Sequence, residues 1–277
     1  AISIDTLVEG VHFFKDASPE DIASKSILVN LSDMAAMGAV PRWLTMSLTL
    51  PENNLDWIRK FSSRFNNLLV KYSLLLIGGD LTKGPLSITI QIHGTVPKGK
   101  FLRRSGARDG DSIYVTGDLG AAAYTLRYIK DPHKNIKPTD KEIKKLNQPE
   151  PRITTGIVLR DIATSCIDIS DGLFCDLNHI LSASNVGAEI KLSNIPYSKS
   201  LKELDKVLAI ELALTGGDDY ELCFTAPSHL TQSDLKQRIN TGMIYYIGKI
   251  NSACSKLKLI DDNGKIYKIK SKGYQHF

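Results

Sequence analysis

Long hydrophobic runs are missing from the sequence, and no apolar stretch reaches the roughly 20 residues that a membrane-spanning helix needs. The amino end also lacks the basic segment followed by an apolar segment that is typical of a secretory signal. We therefore expect no membrane partner and a cytoplasmic location. With 277 residues, 42% of them hydrophobic, the chain can still bury a sizeable core, and its length favours two ordinary domains over one large one.

Cysteine is scarce and scattered. The four cysteines, Cys166, Cys175, Cys223 and Cys254, lie far apart and form no CxxC pair. This spacing suggests neither a cysteine-based zinc site nor a disulfide framework. We expect four reduced thiols, most of them buried.

Aromatic residues are also few, at 7% of the chain, and none is interleaved with the lysine-rich stretches "KEIKK" and "SKLKL" in the way a stacking nucleic-acid surface requires. The formal net charge of +5 is compatible with an anionic ligand, but a solvated lysine-rich surface is the favoured reading, and we expect no nucleic-acid partner. The chain contains no GxxxxGK[ST] loop and no HRD or DFG set. These absences exclude a P-loop enzyme and a protein kinase.

The first hundred residues alternate strand and helix patterns. Ser18 is a predicted N-cap, followed by Pro19 and Asp21, for a helix that ends near Gly38. Alternation in "WLTMSLTL" and "LSITIQIHG" predicts half-buried strands, and residues 55–71 form a predicted amphipathic helix. "SLLLIGGD" is predicted as a buried strand that runs into a glycine turn. The resulting order, β-α-β-α-β-β, predicts an α+β layer with helices on one face of a mixed sheet.

Residues 103–120 are rich in glycine and charge, and we place the domain junction there, with domains at 1–105 and 106–277. The second part predicts a strand at 112–116, helices at 119–129 and 153–164, and the strand "CIDIS" leading into a helix from Leu173. The polar, proline-punctuated residues 130–151 are predicted as a surface excursion. Further predicted strands are "YELCFTA", "MIYYIGKI" and "KLKLI". The second domain is therefore a larger α+β unit.

Aspartates recur where predicted strands end. They are Asp5 in "SIDT", Asp80 in "IGGD", Asp168 and Asp171 in "IDISDG", and Asp218 with Asp219 in "GGDDYEL", and Asp33 joins them from a helix. Such positions can converge at one edge of a sheet, where the carboxylates would repel one another without a cation. Clustered carboxylates without histidine or thiolate favour Mg²⁺ with a bound phosphate. For any single aspartate, a helix cap or Asx turn remains the alternative.

Glycines and one arginine agree with a phosphate ligand. The pairs Gly78–Gly79 and 216–217 permit close backbone approach to a ligand, although tight turns explain them equally well. Arg104 can offer a planar donor fork to phosphate, with a surface ion pair as the alternative. His12, taken alone, is more typical of a packed or capping residue.

Seven motifs carry a family resemblance. In order they are "SIDTLVEGVHF", "VNLSDMAAMGAVP", "IGGDLTKG", "RRSGARDGD", "IDISDGL", "GGDDYELCFT" and "GYQHF". In order and spacing the chain resembles the thiamine-monophosphate kinases, a branch of the superfamily that includes aminoimidazole ribonucleotide synthetase. The resemblance spans nearly the whole chain.

This resemblance implies ATP-dependent phosphorylation of thiamine monophosphate to thiamine diphosphate, with several Mg²⁺ ions, and it leaves K⁺ open as a further cofactor. It also implies a homodimer joined through the first sheet, the nucleotide lying between that sheet and the second domain. The implied metal ligands are Ser3, Ile4, Asp5, Asp33, Asp80, Asp168 and Asp171. The implied nucleotide contacts are Gly79, Asp80, Arg104 and Ser170, and His12, Asp218 and Tyr274 line the implied substrate pocket.

Two positions depart from the family pattern: Ile4 replaces a threonine and Asp218 replaces a glutamate. The family also carries a "GDDAA"-like acidic loop before the first strand, so we expect an additional amino-terminal segment in the natural protein. The acceptor phosphate is already ionised near neutral pH, so no general base is expected. The alternatives are a related ATP-using synthetase of the superfamily and a non-catalytic nucleotide- or metal-binding module.

Overall fold

Two β-sheets, each built from its own stretch of chain, organise the protein in a computed structural model that describes residues 1–133, 136–240 and 243–269. The first stretch contains β1 (Ile2–Val8), α1 (Pro19–Ala36), β2 (Val40–Leu50), α2 (Leu55–Lys71), β3 (Leu75–Lys83) and β4 (Ser87–Thr95). This order confirms the predicted β-α-β-α-β-β arrangement.

The second stretch contains β5 (Ser112–Thr116), α3 (Ala121–Lys130), α4 (Asp140–Asn147), α5 (Ile153–Leu159), β6 (Ser165–Asp168), α6 (Leu173–Ser184), β7 (Ala188–Lys191), α7 (Lys206–Thr215), β8 (Leu222–Ala226), α8 (Gln232–Ile239), β9 (Ile244–Ile250), β10 (Leu257–Ile260) and β11 (Ile266–Tyr267). The α+β class is confirmed. The domain boundary at residue 105 stays a prediction.

The first sheet has the strand order β1-β4-β2-β3, with β2 and β3 parallel and the other pairs antiparallel. Ile88, Ile90 and Ile92 of β4 are buried against Ile27 and Leu31 of α1. The opposite face of the sheet is open: on β1 the alternate residues at positions 2, 4 and 6 are exposed. The helices therefore cover one face, as predicted.

The prediction for β3 is wrong in two respects. The strand does not turn at its glycines but continues through Gly78 and Gly79, paired with Thr45 and Met46 of β2. It is also exposed at all nine residues, with Leu81 65% exposed. An apolar run looks the same in a buried strand and in an uncovered edge strand, and here β3 lies at the edge of the sheet.

Helix α1 lies between the two sheets. Ser18 caps it as predicted, since its hydroxyl accepts a hydrogen bond from the Asp21 N–H at 3.1 Å. On one side α1 packs against β1, β4 and α2, and on the other against α4, α5 and β6. Because neighbours surround it, even polar residues such as Lys25, Asn30 and Ser32 are buried.

The second sheet has the order β11-β10-β7-β9-β5-β8-β6. One apolar cluster includes residues of α6 and α7, and a second joins α5 and α8 to Ala35 and Leu102 of the first stretch. The predicted surface excursion is corrected, because it contains α4, which begins with a capping box of Thr139 and Glu142. Helix α5 ends at Leu159 rather than near 164, because the Thr164 N–H pairs with the Thr225 carbonyl.

All four cysteines are free thiols, three of them buried and Cys175 half-buried, which confirms the prediction of reduced thiols. Among the residues that the structure describes, none of the helices has both the length and the apolar character needed to cross a membrane.

Candidate active site

Three elements bring a carboxylate cluster together. β1 places Ser3 and Asp5 on its covered side, α1 contributes Asp33, and Asp168 ends β6. The prediction that Asp5 ends its strand is wrong, because β1 continues to Val8 and Asp5 is paired with Ile90. The Ser3 hydroxyl donates a hydrogen bond to the Asp33 carboxylate, and Asp5 and Asp33 are themselves hydrogen-bonded. The Ser32 hydroxyl contacts Asp168 on the other side of the helix end. Residues far apart in the chain thus meet beside α1.

Burial and mutual repulsion perturb these carboxyl groups. Burial, the charge of Asp33 and the shared hydrogen bond raise the pKa of Asp5 to about 7. Burial also raises the pKa of Asp33, against the lowering effect of its hydrogen bonds and of the Arg104 charge. Burial and the Asp33 charge raise the pKa of Asp168 well above its usual value. The cluster therefore holds protons near neutral pH unless a cation replaces them.

The donor set of this cluster fits Mg²⁺. It consists of carboxylate oxygens and the Ser3 hydroxyl, without histidine or thiolate, and oxygen donors are what a hard divalent cation selects. The positive charge of the Arg104 guanidinium acts on Asp33 and lowers its pKa. When a cation displaces their protons, the three carboxylates outnumber this one guanidinium.

A cavity of about 1020 Å³ opens beside the cluster. Its wall includes six of the predicted site residues: Ile4, Asp5, His12, Ser170, Asp171 and Asp218. Helix α3 forms the opposite side, with Arg127 and Lys130 among the lining residues. One space therefore connects the carboxylates to the predicted substrate residues.

The loops at 170–172 and 216–218 are hydrogen-bonded to each other in the wall of this cavity. The Asp218 N–H donates to the Ser170 carbonyl at 2.9 Å, and the Asp171 N–H donates to the Asp176 carboxylate at 3.0 Å. Gly172 has φ +111°, and a Cβ there would lie within 3.0 Å of three backbone atoms of 214–216, so only glycine suits this position. Burial raises the pKa of Asp176 to about 7, because the carboxyl lies beneath the loop.

Sequence reasoning missed Lys25, which links His12 to Asp218, two of the predicted substrate residues. Its ammonium donates to the His12 carbonyl at 3.0 Å and to Asp218 Oδ2 at 3.1 Å. The Tyr220 hydroxyl donates to Asp218 Oδ1 at 3.1 Å. The sequence did contain a signal for this role, because Lys25 lies on a largely apolar helix and a buried charge there needs hydrogen-bonding or charged partners.

His12 and Asp218 are held in defined conformations. The His12 Nδ1 atom accepts the Val8 N–H at 3.0 Å, so the neutral ring carries its proton on Nε2. Asp218 has φ +67° and Tyr220 has φ +50°, both in the left-handed region that is costly for residues other than glycine. The hydrogen bonds around Asp218 offset this strain, which is common at ligand sites.

Gly79 and Asp80 do not join the cluster within one chain. Across the sheet, Asp5 is aligned with Ile90, then Met46, then Gly79. Three strand spacings separate the two edges, a distance of about 14 Å. The predicted Tyr274 lies outside the described residues, and Arg104 acts on Asp33 from an exposed segment.

A buried ion cluster supports the site from behind. Glu221 receives two hydrogen bonds from Arg152, at 2.7 and 2.8 Å, and one from Lys145 at 2.9 Å. Burial would raise the pKa of Glu221, but the Lys145 and Arg152 charges and hydrogen bonds lower it below the usual value. Burial raises the pKa of neighbouring Asp219 to about 7. The cluster joins α4 and α5 to the segment that carries Asp218.

Both halves of the chain match family models. The AIR synthase related protein N-terminal domain matches residues 1–96, and the AIR synthase related protein C-terminal domain matches residues 108–255. The chain therefore belongs to the AIR synthase related family.

Individual relatives narrow the family to one branch. A thiamine-monophosphate kinase of Buchnera aphidicola subsp. Schizaphis graminum is 47% identical over 281 residues, spanning 100% of this chain and 87% of that protein. The crystal structure of thiamine-monophosphate kinase from Stenotrophomonas maltophilia K279a is 39% identical with a TM-score of 0.87, spanning 96% of this chain and 86% of that one. A structure of AaThiL complexed with AMPPCP and TMP is 32% identical with a TM-score of 0.85, spanning 100% and 86%. Within the family, the chain belongs to the thiamine-monophosphate kinases.

Proposed function

We propose that this protein transfers the γ-phosphoryl group of ATP to thiamine monophosphate and releases thiamine diphosphate and ADP. The main support for this proposal is that one cavity connects the carboxylate cluster to His12 and Asp218. The chain is also similar over its full length to a protein whose structure was solved with AMPPCP and TMP. The location we propose is the cytoplasm.

The reaction needs alignment more than proton transfer. A bond forms between an oxygen of the substrate phosphate and the γ-phosphorus, while the bond between that phosphorus and the bridging oxygen of ADP breaks. The attacking oxygen is already ionised near neutral pH, so the site needs no general base. His12 and Asp218 hold the thiamine end, and their attachment to Lys25 orients the acceptor phosphate toward the carboxylates.

Asp5, Asp33, Asp168 and Asp171 would hold Mg²⁺ ions, with Ser3 and the Ile4 backbone beside them. Bound there, Mg²⁺ neutralises charge on the phosphate oxygens. The convergence of the Asp5, Asp33 and Asp168 carboxyl groups and the Ser3 hydroxyl supports this assignment. A K⁺ requirement remains open, and replacing K⁺ with Na⁺ in the assay tests it.

Gly79, Asp80, Arg104 and Ser170 are the proposed nucleotide contacts, and Asp80 requires a second chain to reach the cluster. The β3 edge that carries Asp80 is uncovered, and unpaired apolar edges are seldom left open to solvent. We propose a two-fold homodimer in which the β3 edge of each protomer joins the β1 edge of its partner. In each of the two junctions, the partner's Asp80 then lies at the edge that carries Asp5. The homodimer is therefore proposed to have sites composed of both chains.

Subunit complementation tests this composite site. Asp33→Asn and Asp80→Asn are each inactivating, but after mixing and exchange about half of the dimers contain both chains, and each of these carries one intact site. About a quarter of wild-type activity should return. No recovery despite exchange, or a monomeric mass by light scattering, contradicts the composite site.

A coupled assay of ADP release tests the function itself. Thiamine monophosphate should support turnover, while thiamine and aminoimidazole precursors should not. Turnover with an aminoimidazole precursor would identify a related synthetase instead. Nucleotide binding without turnover of any of the three would identify a non-catalytic module.

A further inference from the structure

Outside the cavity, α6 carries a second group of ligand-type side chains. Cys175, Asp176 and His179 each offer one atom, and these three atoms lie within 4.8 Å of one another. The Cys175 Sγ and His179 Nε2 atoms are 3.8 Å apart, one helical turn from each other. Cys175 is half-buried, His179 is exposed and Asp176 is buried.

The separation of the Cys175 sulfur and the His179 nitrogen is close to that of two ligands in a tetrahedral zinc site. With Zn–S of about 2.3 Å and Zn–N of about 2.0 to 2.1 Å, tetrahedral coordination puts sulfur and nitrogen about 3.6 Å apart. The observed Sγ–Nε2 separation of 3.8 Å needs only a small side-chain adjustment. The Asp176 carboxylate has to move toward both atoms, since the three ligand atoms are only known to lie within 4.8 Å of one another. A thiolate, an imidazole and a carboxylate also select a borderline cation such as Zn²⁺ over Mg²⁺.

We propose that Cys175, Asp176 and His179 bind one Zn²⁺ ion, with solvent in the fourth position. The thiol proton passes to solvent when the sulfur binds the metal. An open cavity of about 900 Å³, lined by Cys175 and His179 on one side and by Cys254 and Lys256 on the other, leaves the site accessible. A search for CxxC pairs overlooks this site because it uses a single cysteine.

The same ion should inhibit the enzyme, an effect that rests on the proposed function. Asp176 accepts the N–H of Asp171, a proposed Mg²⁺ ligand, and it lies under the loop that also carries Ser170. When Zn²⁺ draws the Asp176 carboxylate toward Cys175 and His179, this hydrogen bond weakens and Asp171 loses its position. Zinc would therefore act through the loop, without entering the cavity.

Direct binding is the first test. We would titrate the reduced, metal-free protein with Zn²⁺ against a chromophoric chelator in excess Mg²⁺. The wild type should bind one Zn²⁺ per chain, and Cys175→Ser and His179→Gln should each weaken binding at least about tenfold. Co²⁺ should give a thiolate charge-transfer band that Cys175→Ser abolishes. Cys254→Ser, which alters a buried thiol across the cavity, is the matched control and should retain both signals.

Inhibition is the second test. Zn²⁺ should lower wild-type turnover in excess Mg²⁺, while Cys175→Ser and His179→Gln keep basal turnover and resist inhibition. Absence of stoichiometric binding, or equal binding by the variants, overturns the site. Binding with undiminished turnover, or equal inhibition of all variants, overturns the coupling through Asp176. If no variant phosphorylates thiamine monophosphate but zinc binds as described, the proposed function fails and the metal site stands.

Discussion

Replacing Lys25 with methionine should damage substrate binding more than nucleotide binding. The change keeps an unbranched side chain of similar length but removes the ammonium, which donates to the His12 carbonyl and to Asp218. The Lys25 side chain is only 4% exposed, whereas that of Asp218 is 31% exposed. The substitution therefore leaves a partly buried carboxylate without its cation.

The magnitude follows from this exposure. Removing one partner of a fully buried ion pair costs about 3 to 5 kcal/mol. Asp218 retains some solvent and the Tyr220 hydroxyl, so we expect a loss of about 2 to 3 kcal/mol in the free energy of unfolding. The same ion pair orders His12 and Asp218. If its loss also removes about 1.4 kcal/mol of the substrate's binding free energy, KM for thiamine monophosphate rises about tenfold.

Steady-state kinetics with each substrate varied in turn, together with thermal unfolding, measure both effects. KM for ATP should change little, because Lys25 contacts His12 and Asp218, which are proposed to hold the thiamine end of the substrate. Lys60→Met is the matched control, since its ion pair with Asp56 is solvent-exposed and should contribute little. Equal increases in both KM values, or an unchanged KM for thiamine monophosphate, would refute the reasoning.

Three further predictions concern the carboxylates. Asp33→Asn and Asp171→Asn should each lower turnover by orders of magnitude with the circular dichroism spectrum unchanged, and near-normal turnover with unaltered Mg²⁺ dependence removes that residue from the metal site. Because the folded pKa of Asp5 is about 7, against an ordinary value of 3.8, the metal-free folded state binds the extra proton, and stability should fall as pH rises from about 4 to 7. Thermal unfolding in the presence of a chelator should show this decline in stability, and both added Mg²⁺ and Asp5→Asn should make it smaller. Identical pH profiles of stability for the variant and the wild type would contradict this role of Asp5. Glu221→Gln removes the buried anionic partner of Arg152 and Lys145 and leaves Arg152 only its ion pair with the exposed Glu150. The change should cost about 3 to 5 kcal/mol in chemical denaturation, and a loss below about 1 kcal/mol would show that Glu150 and solvent replace the buried pair.

Local sequence patterns were sufficient to predict those helices and strands whose signals lie within a few residues of one another. The cap at Ser18, the amphipathic repeat of α2 and the alternation of β2 all appear where the sequence predicts them. The place of Asp168 at the end of β6 was also predictable. The place of Asp5 was not, because β1 continues past it to Val8 and its side chain reaches the cluster from the covered face of the sheet.

What could not be predicted depends on long-range pairing. The exposure of β3 follows from its place at the end of the strand order, which its own residues do not encode. The bond between Lys25 and Asp218 spans 193 positions. The separation of Asp5 from Asp80 follows from a strand register that no local pattern specifies.

Helix α1 accounts for the spacing between the carboxylate cluster and the substrate end of the cavity. Lys25 and Asp33 lie on this one helix, and eight residues at about 1.5 Å each separate their backbones by about 12 Å along its axis. Because α1 is buried against both sheets, that separation cannot vary as it would between two loops. If His12 and Asp218 hold the thiamine end, as proposed, the substrate reaches the cluster with a phosphate at its other end. On this proposal, the fixed length of α1 between Lys25 and Asp33 selects a phosphorylated acceptor over free thiamine.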